Sequence, residues 1–347
     1  MESMIRETPC HLCVTHSPLV TRVFEATIRQ QEIAEDTVRA IARRGVPFPN
    51  TGLCLDEVSN AMESCFRRCA RTGYAEVWQH FDQSLQGLTG GRPFEAYIPH
   101  LNKIIYQEII NHPHCAGYSF LEEGFTSMAW DKWPNERSAW SKSLRNHLRT
   151  WRVGPRYRFN RPMFDNSPPT YRAAYAISKH AFQGMPGRTD VSAHVPPLPV
   201  GNPPGNTYLI LDACYLHHGI RWENYENALV AAVLAHATPS KELRIKFHFA
   251  DAHAPERFQS ICQRLADDGP ASVHMLGPDF SVEENLTSTD LLLFAVTSLG
   301  YYAALAGASI RCFAADIEGL PISSWIANGR LPADFSYVIE CSSLKPL

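Results

Sequence analysis

HLCVTHSPLVTRVFEATIRQQEI, residues 11–33, carries the reading of the fold. His11–Thr15 (HLCVT) is a short apolar run of buried-strand character, and Val20–Ile33 repeats its apolar residues at helical spacing, so the chain opens as strand, turn and helix. The alternation continues. Residues Leu55–Leu88 read as helical with mixed polarity, Phe94–Ile98 as a strand, Leu101–Asn111 as a helix and Ala116–Leu121 as a strand. Prolines then crowd residues 152–206, from Pro155 through Pro168 and Pro169 to Pro203 and Pro204, a density that opposes continuous helix or central strand. One patch, Tyr171–Phe182, reads as helical. After it the pattern restarts with strands at Tyr208–Asp212, Leu243–Phe249, Val273–Leu276, Leu291–Val296 and Ser309–Ala314. Helices fall between them at Trp222–Ala237, Pro255–Asp267 and Leu299–Ala306. The expected architecture is α/β, with two Rossmann-like domains, 1–200 and 201–347, facing each other across a cleft. In such sheets ligands bind at the carboxyl ends of the strands.

Composition narrows the function. With 347 residues, 45% hydrophobic and 19% charged, the chain has material for about two globular domains. Lys and Arg total 32 against 35 Asp and Glu, a net charge of −3, which leaves no basic surplus for a phosphate-backbone footprint, and no nucleic-acid partner is expected. Met1–Pro9 lacks the pattern of a signal peptide and no apolar stretch reaches about 18 residues, so the expected location is cytoplasmic. The 10 cysteines are scattered in the manner of reduced buried thiols. Cys10 and Cys13 form a CxxC and Cys65 and Cys69 a CxxxC, but no regular four-ligand spacing completes either, and no metal is expected.

Four constellations follow strand ends. Glu122, Glu123 and Gly124 stand where a strand turns into a helix: a carboxylate there can serve as a general base, and an ordinary acidic first turn accounts for the pair equally well. Lys246 and His248 alternate with Phe247 and Phe249, so two groups able to carry positive charge share one face, as a phosphate site or as a solvated strand face. Glu283 and Glu284 lie in a loop, placed to accept from ribose hydroxyls or simply solvated. Thr297 and Ser298 open a helix of small residues, an anion site or a plain N-cap.

The order of these motifs resembles the bacterial sialyltransferases and polysialyltransferases of the glycosyltransferase B fold, which use CMP-activated sialic acid. That family has an acidic pair followed by glycine, then Lys-x-His-Pro, Glu-x-Leu and a Ser/Thr pair. Here they correspond to Glu122-Glu123-Gly124, Lys246-Phe247-His248, Glu284-Asn285-Leu286 and Thr297-Ser298, with Phe249 where proline is expected. His11–Leu19 is similar to the family's first strand and its turn, with Ser17 in place of threonine.

The resemblance implies an inverting, metal-independent transfer of sialic acid from CMP to a saccharide or glycolipid hydroxyl, with no cofactor beyond the donor substrate. Glu122 is then the general base, and His248 stabilises the departing CMP phosphate together with Thr297 and Ser298. Lys246 and Glu284 hold the cytidine part, Glu283 standing in reserve. His16, Ser17 and Glu123 face the donor or acceptor. The competing readings are a CMP-Kdo-type transferase, a CMP-binding protein that has lost catalysis, and a hydrolase of phosphorylated sugars. Trp130, Trp133, Trp140 and Trp151, interleaved with Lys132, Lys142, Arg145, Arg149 and Arg152, suggest an acceptor platform or a peripheral membrane contact, with at least half of the tryptophans expected in the core.

Overall fold

The structure is a computed structural model that describes residues 9–43, 51–131, 148–153, 162–201, 205–212, 214–217, 219–237, 241–248, 251–270, 272–277, 280–329, 331 and 335. Chain contacts divide it into two compact units, Met1–Pro196 and Pro197–Leu347.

The first unit runs β1 (Cys10–Thr15), α1 (Pro18–Gln30), β2 (Val38–Ala42), β3 (Thr51–Cys54), α2 (Asp56–Arg68), α3 (Arg71–Thr89) and β4 (Phe94–Ile98). It continues with α4 (Ile104–Asn111), β5 (Cys115–Leu121), α5 (Phe125–Met128), β6 (Tyr171–Ala176) and β7 (Arg188–Asp190). The strands form one sheet in the order β3-β2-β1-β4-β5-β6-β7, with parallel pairing throughout. Cys10, Leu12, Cys13 and Val14 of β1 are all buried, the signature of a parallel strand covered on both faces. Ser17 ends the β1 turn and caps α1: its Oγ accepts from the Val20 N–H at 3.3 Å, and Pro18 follows at the first helical position.

The second unit runs β8 (Thr207–Ile210), α6 (Cys214–His217), α7 (Trp222–His236), β9 (Glu242–Lys246), α8 (Ala254–Arg264) and β10 (Ser272–Met275). It ends with α9 (Val282–Asn285), β11 (Leu291–Phe294), α10 (Ser298–Leu305), β12 (Ser309–Cys312) and α11 (Ile322–Ala327). Its sheet, β10-β9-β8-β11-β12, is also parallel. Gly300 lets α10 lie close on its own strand, for a Cβ there would come within 2.3 Å of the Phe294 ring.

Three expectations need correction. Tyr171–Phe182 is not helical: Tyr171–Ala176 is strand β6, hydrogen-bonded to β5 on one side and β7 on the other. Proline density over 152–206 therefore does not exclude an interior strand, because β6 occupies the proline-free window between Pro169 and Pro186. Leu55–Leu88 is two helices, divided where Cys69 takes the left-handed conformation (φ 56°) and ends α2. The strands β2 and β3 lie in a stretch whose pattern signalled no element.

Among the described residues no helix is long and apolar enough to cross a membrane. Trp130 packs against the core of the first unit and donates from Nε1 to the Gln183 carbonyl at 2.9 Å, while Trp151 is 78% exposed. Trp133, Trp140, Lys132, Lys142 and Arg145 lie outside the described residues.

Candidate functional site

In each sheet the chain first builds outward on one side of its first strand and then returns to the other side. The switch points fall between β1 and β4 and between β8 and β11. At a switch point the connections at the carboxyl ends diverge and leave a crevice, the usual ligand position in an open α/β sheet.

The first switch point gathers titratable groups from three strand ends. His16 follows β1, His100 follows β4 and Glu123 follows β5. Glu123 Oε1 lies 3.0 Å from His16 Nε2 and its Oε2 lies 3.3 Å from His100 Nε2. His16 Nδ1 meets the hydroxyl of Tyr106 at 2.6 Å, and the Asn102 N–H donates to His100 Nδ1 at 3.4 Å. Both imidazoles are buried, whereas the Glu123 side chain keeps 15% exposure. Burial alone would raise the Glu123 carboxyl, but the imidazoles of His100 and His16 more than offset it and hold it down at about 2. The turn that presents Glu123 depends on Gly124, whose φ of 113° and ψ of −151° fall in a region open essentially to glycine alone.

Glu122 goes elsewhere. It is completely buried, and its Oε2 accepts from the backbone N–H groups of Ile177 at 2.7 Å and Ser178 at 2.9 Å, just beyond β6. Its carboxylate therefore ties the end of β5 to the end of β6. Of the acidic pair, Glu123 is the member that keeps solvent exposure and meets other side chains expected at the site.

In the second unit, Phe247 is buried while Lys246 and His248 are half-buried, in keeping with the alternation read from the sequence. Lys246 Nζ donates to the Gly277 carbonyl at 2.7 Å, across the loop that follows β10. Phe249, the departure from the family pattern, lies outside the described residues. Ser281 caps α9 by accepting from the Glu284 N–H at 3.3 Å; the Glu284 side chain is exposed and Glu283 is half-buried. Thr297 is the N-cap of α10, its Oγ1 accepting from the Leu299 N–H at 3.2 Å, and Ser298 is the first helical residue. Lys246, His248, Thr297 and Ser298 thus share the carboxyl edge of one sheet.

Two residues of these switch points were not singled out in the sequence. His100 is the first polar side chain after strand Phe94–Ile98, a position that could have marked it. Asp212, immediately beyond β8, is buried at the second switch point. Its Oδ1 accepts from the Cys214 N–H at 2.7 Å, and its Oδ2 accepts from the Val296 N–H at 2.8 Å and the Tyr225 hydroxyl at 3.2 Å. Burial raises its pKa, in spite of these donors. Asp212 bridges the ends of β8 and β11, directly ahead of Thr297.

No protein-family model and no curated protein sequence matches the chain. Solved structures do. The UDP-GlcNAc 2-epimerase of Methanocaldococcus jannaschii, in complex with UDP-GlcNAc and UDP, is 10% identical over 98% of this chain and 94% of that one, with a TM-score of 0.51. MnaA of S. aureus, solved with UDP, is 8% identical over 98% and 92%, with a TM-score of 0.50. The fold is of the glycosyltransferase B type. A 2,6-sialyltransferase of Photobacterium sp. JT-ISH-224, in a complex with CMP and lactose, is 10% identical over 94% of this chain and 77% of that one, with a TM-score of 0.45. At these identities the likeness is one of fold. In this glycosyltransferase B fold, the described clusters lie at the carboxyl ends of the strands, where the general rule for open α/β sheets puts ligands.

Proposed function

We propose that the chain is an inverting glycosyltransferase that moves sialic acid, or a related ulosonic acid, from a CMP-sugar to a saccharide or glycolipid hydroxyl, with no metal needed in the step. The observation that carries the reading is the meeting of Glu123 with His16 and His100 at the first switch point. A carboxylate kept ionised between two imidazoles, with part of its surface open, can accept the proton of an incoming hydroxyl and share it with them.

Glu123 takes the role that the resemblance gives to Glu122. The acceptor oxygen attacks the anomeric carbon and its proton passes to the Glu123 carboxylate. On the opposite face the bond from that carbon to the phosphate oxygen breaks, and its electron pair leaves with CMP. His248, with Thr297, Ser298 and the N–H groups at the start of α10, stabilises the charge that grows on the phosphate. Lys246 and Glu284 hold the cytidine part. His16 and His100 fix the carboxylate, and Ser17 keeps the β1 turn in place through its cap of α1.

The test begins with calorimetric titration of the purified protein with CMP, UMP and GMP in EDTA, followed by transfer assays with CMP-sialic acid and CMP-Kdo. The expected result is selective CMP binding, weakened by Ser298→Ala, and transfer that is lost in Glu123→Gln. Absence of nucleotide binding, or binding indifferent to the base, overturns the reading. Preference for CMP-Kdo would move it to the related donor.

A further inference from the structure

His16, His100 and Glu123 are, among the described residues, the one set of three or more histidine, cysteine or carboxylate side chains whose ligand atoms all lie within 4.8 Å of one another. We infer that these three side chains form a binding site for a divalent transition metal ion, zinc being the best fit.

The ligand set is two imidazoles and one carboxylate, which is a known zinc donor set with a fourth position left for water. A tetrahedral ion with bonds of about 2.0–2.1 Å separates its ligand atoms by roughly 3.3 Å. One ligand atom from each residue lies within 4.8 Å of the other two, and each carboxylate oxygen of Glu123 faces one imidazole, Oε1 at 3.0 Å from His16 and Oε2 at 3.3 Å from His100, so small side-chain adjustments bring the set to that edge length. A hydrogen-bonded cluster would account for such distances only if the donors were aimed at the acceptors. Glu123 Oε2 is buried, 3.3 Å from His100 Nε2, and makes no hydrogen bond among the described residues. A divalent cation between the carboxylate and the imidazoles gives that oxygen a direct partner.

The surroundings supply further support. The Tyr106 hydroxyl, 2.6 Å from His16 Nδ1, can accept the ring proton there, which leaves the Nε2 lone pair for a metal. His100 must likewise carry its proton on Nδ1 to coordinate through Nε2, giving up only the long 3.4 Å contact from the Asn102 N–H. The three ligands come from the ends of three strands of one sheet, so they are held by rigid elements.

Occupation of this site does not depend on the transferase reading. If that reading holds, the metal and the acceptor compete for Glu123, and transfer falls as the site fills. The metal would then be an inhibitor, and EDTA would relieve it.

The experiment is titration of the metal-stripped full-length protein with Zn2+ and, separately, Co2+. One equivalent is expected to bind. Tyr106→Phe keeps all three ligands and lowers the affinity about 10- to 100-fold, and His100→Ala and Glu123→Gln lower it further. The Co2+ form shows the visible d–d bands of a four-coordinate ion without the intense near-ultraviolet thiolate band that cysteine ligation gives. Absence of binding by the wild type, equal affinity in Glu123→Gln, or a thiolate band overturns the inference. Should His100→Ala or Glu123→Gln not fold, the Tyr106→Phe affinity and the Co2+ spectrum decide. Because the readout is binding, its failure leaves CMP recognition untouched, and failure of CMP recognition leaves it untouched in turn.

Discussion

Glu122 and Glu123 are adjacent in the chain, yet Glu122 is fully buried against the N–H groups of Ile177 and Ser178 while Glu123 faces the imidazoles of His16 and His100. One carboxylate joins two strand ends and the other is open to chemistry. Their substitutions should therefore fail in different ways.

Glu123→Gln removes the negative charge between the imidazoles while keeping the shape. In the proposed mechanism it lowers kcat about 10²- to 10⁴-fold, the range for loss of a general base, and that loss persists at temperatures well below the melt. Glu122→Ala leaves two backbone N–H groups without their acceptor, at a cost of about 1–3 kcal/mol each. Thermal melts and transfer assays on both variants separate the two effects. A melt of Glu122→Ala equal to wild type would refute its structural role.

Gly124→Ala puts a side chain on a backbone that only glycine tolerates, at a cost of about 1–3 kcal/mol. Because the strain falls next to Glu123, the variant is expected to lose transfer activity out of proportion to its loss of stability. Kinetics at a temperature well below the melt will show this.

Asp212→Asn tests the second switch point. The amide offers one acceptor oxygen in place of two and its nitrogen only donates, so the donors on Oδ1 and Oδ2 cannot all be kept and a buried donor is left over at about 1–3 kcal/mol. The segment that loosens leads straight into Thr297 and Ser298. CMP binding is expected to weaken along with stability, measured by calorimetry and by melting.

The fourth prediction concerns α3 and α4. Glu108 on α4 is buried and accepts from the Tyr74 hydroxyl and from Trp78 Nε1, both at 2.8 Å, on α3. Burial pushes its carboxyl up to about 7 from 4.5, against the opposing effect of those donors. A folded-state pKa above the unfolded one means that the group's contribution to stability is complete below about 4.5 and is lost as pH rises through about 7. The loss is on the order of 3 kcal/mol by linkage. Glu108→Gln should flatten this part of the pH profile, so that melting temperatures at pH 5.5 and pH 8.5 differ less in the variant than in wild type. An equal difference would sink the assignment.

Legibility in the sequence followed how local each signal is. Strand Phe94–Ile98 is legible to the residue, and β1 within one residue, because an apolar run bounded by turn residues is a local pattern. The pattern of Tyr171–Ala176 points to a helix. Alanine and tyrosine sit readily in a helix, and the segment is a strand because its backbone pairs with β5 and β7. Among candidate site residues, His16 and Glu123 were both visible as polar groups at strand ends. Their contact, and the entry of His100 into it, required the order of strands in the sheet.

By itself the sequence determined the α/β alternation of apolar strands with helices, the parallel-sheet character of both halves, and the polar residues stationed at strand ends. These follow from hydrophobic periodicity and turn chemistry, which act over a few residues. Only the tertiary structure decided that β1, β4 and β5 lie side by side, so that His16, His100 and Glu123 converge. It also decided which carboxylate of the pair was buried. Successive side chains on an extended chain leave on opposite sides, and which side meets the free N–H groups beyond β6 is set by the neighbouring strand.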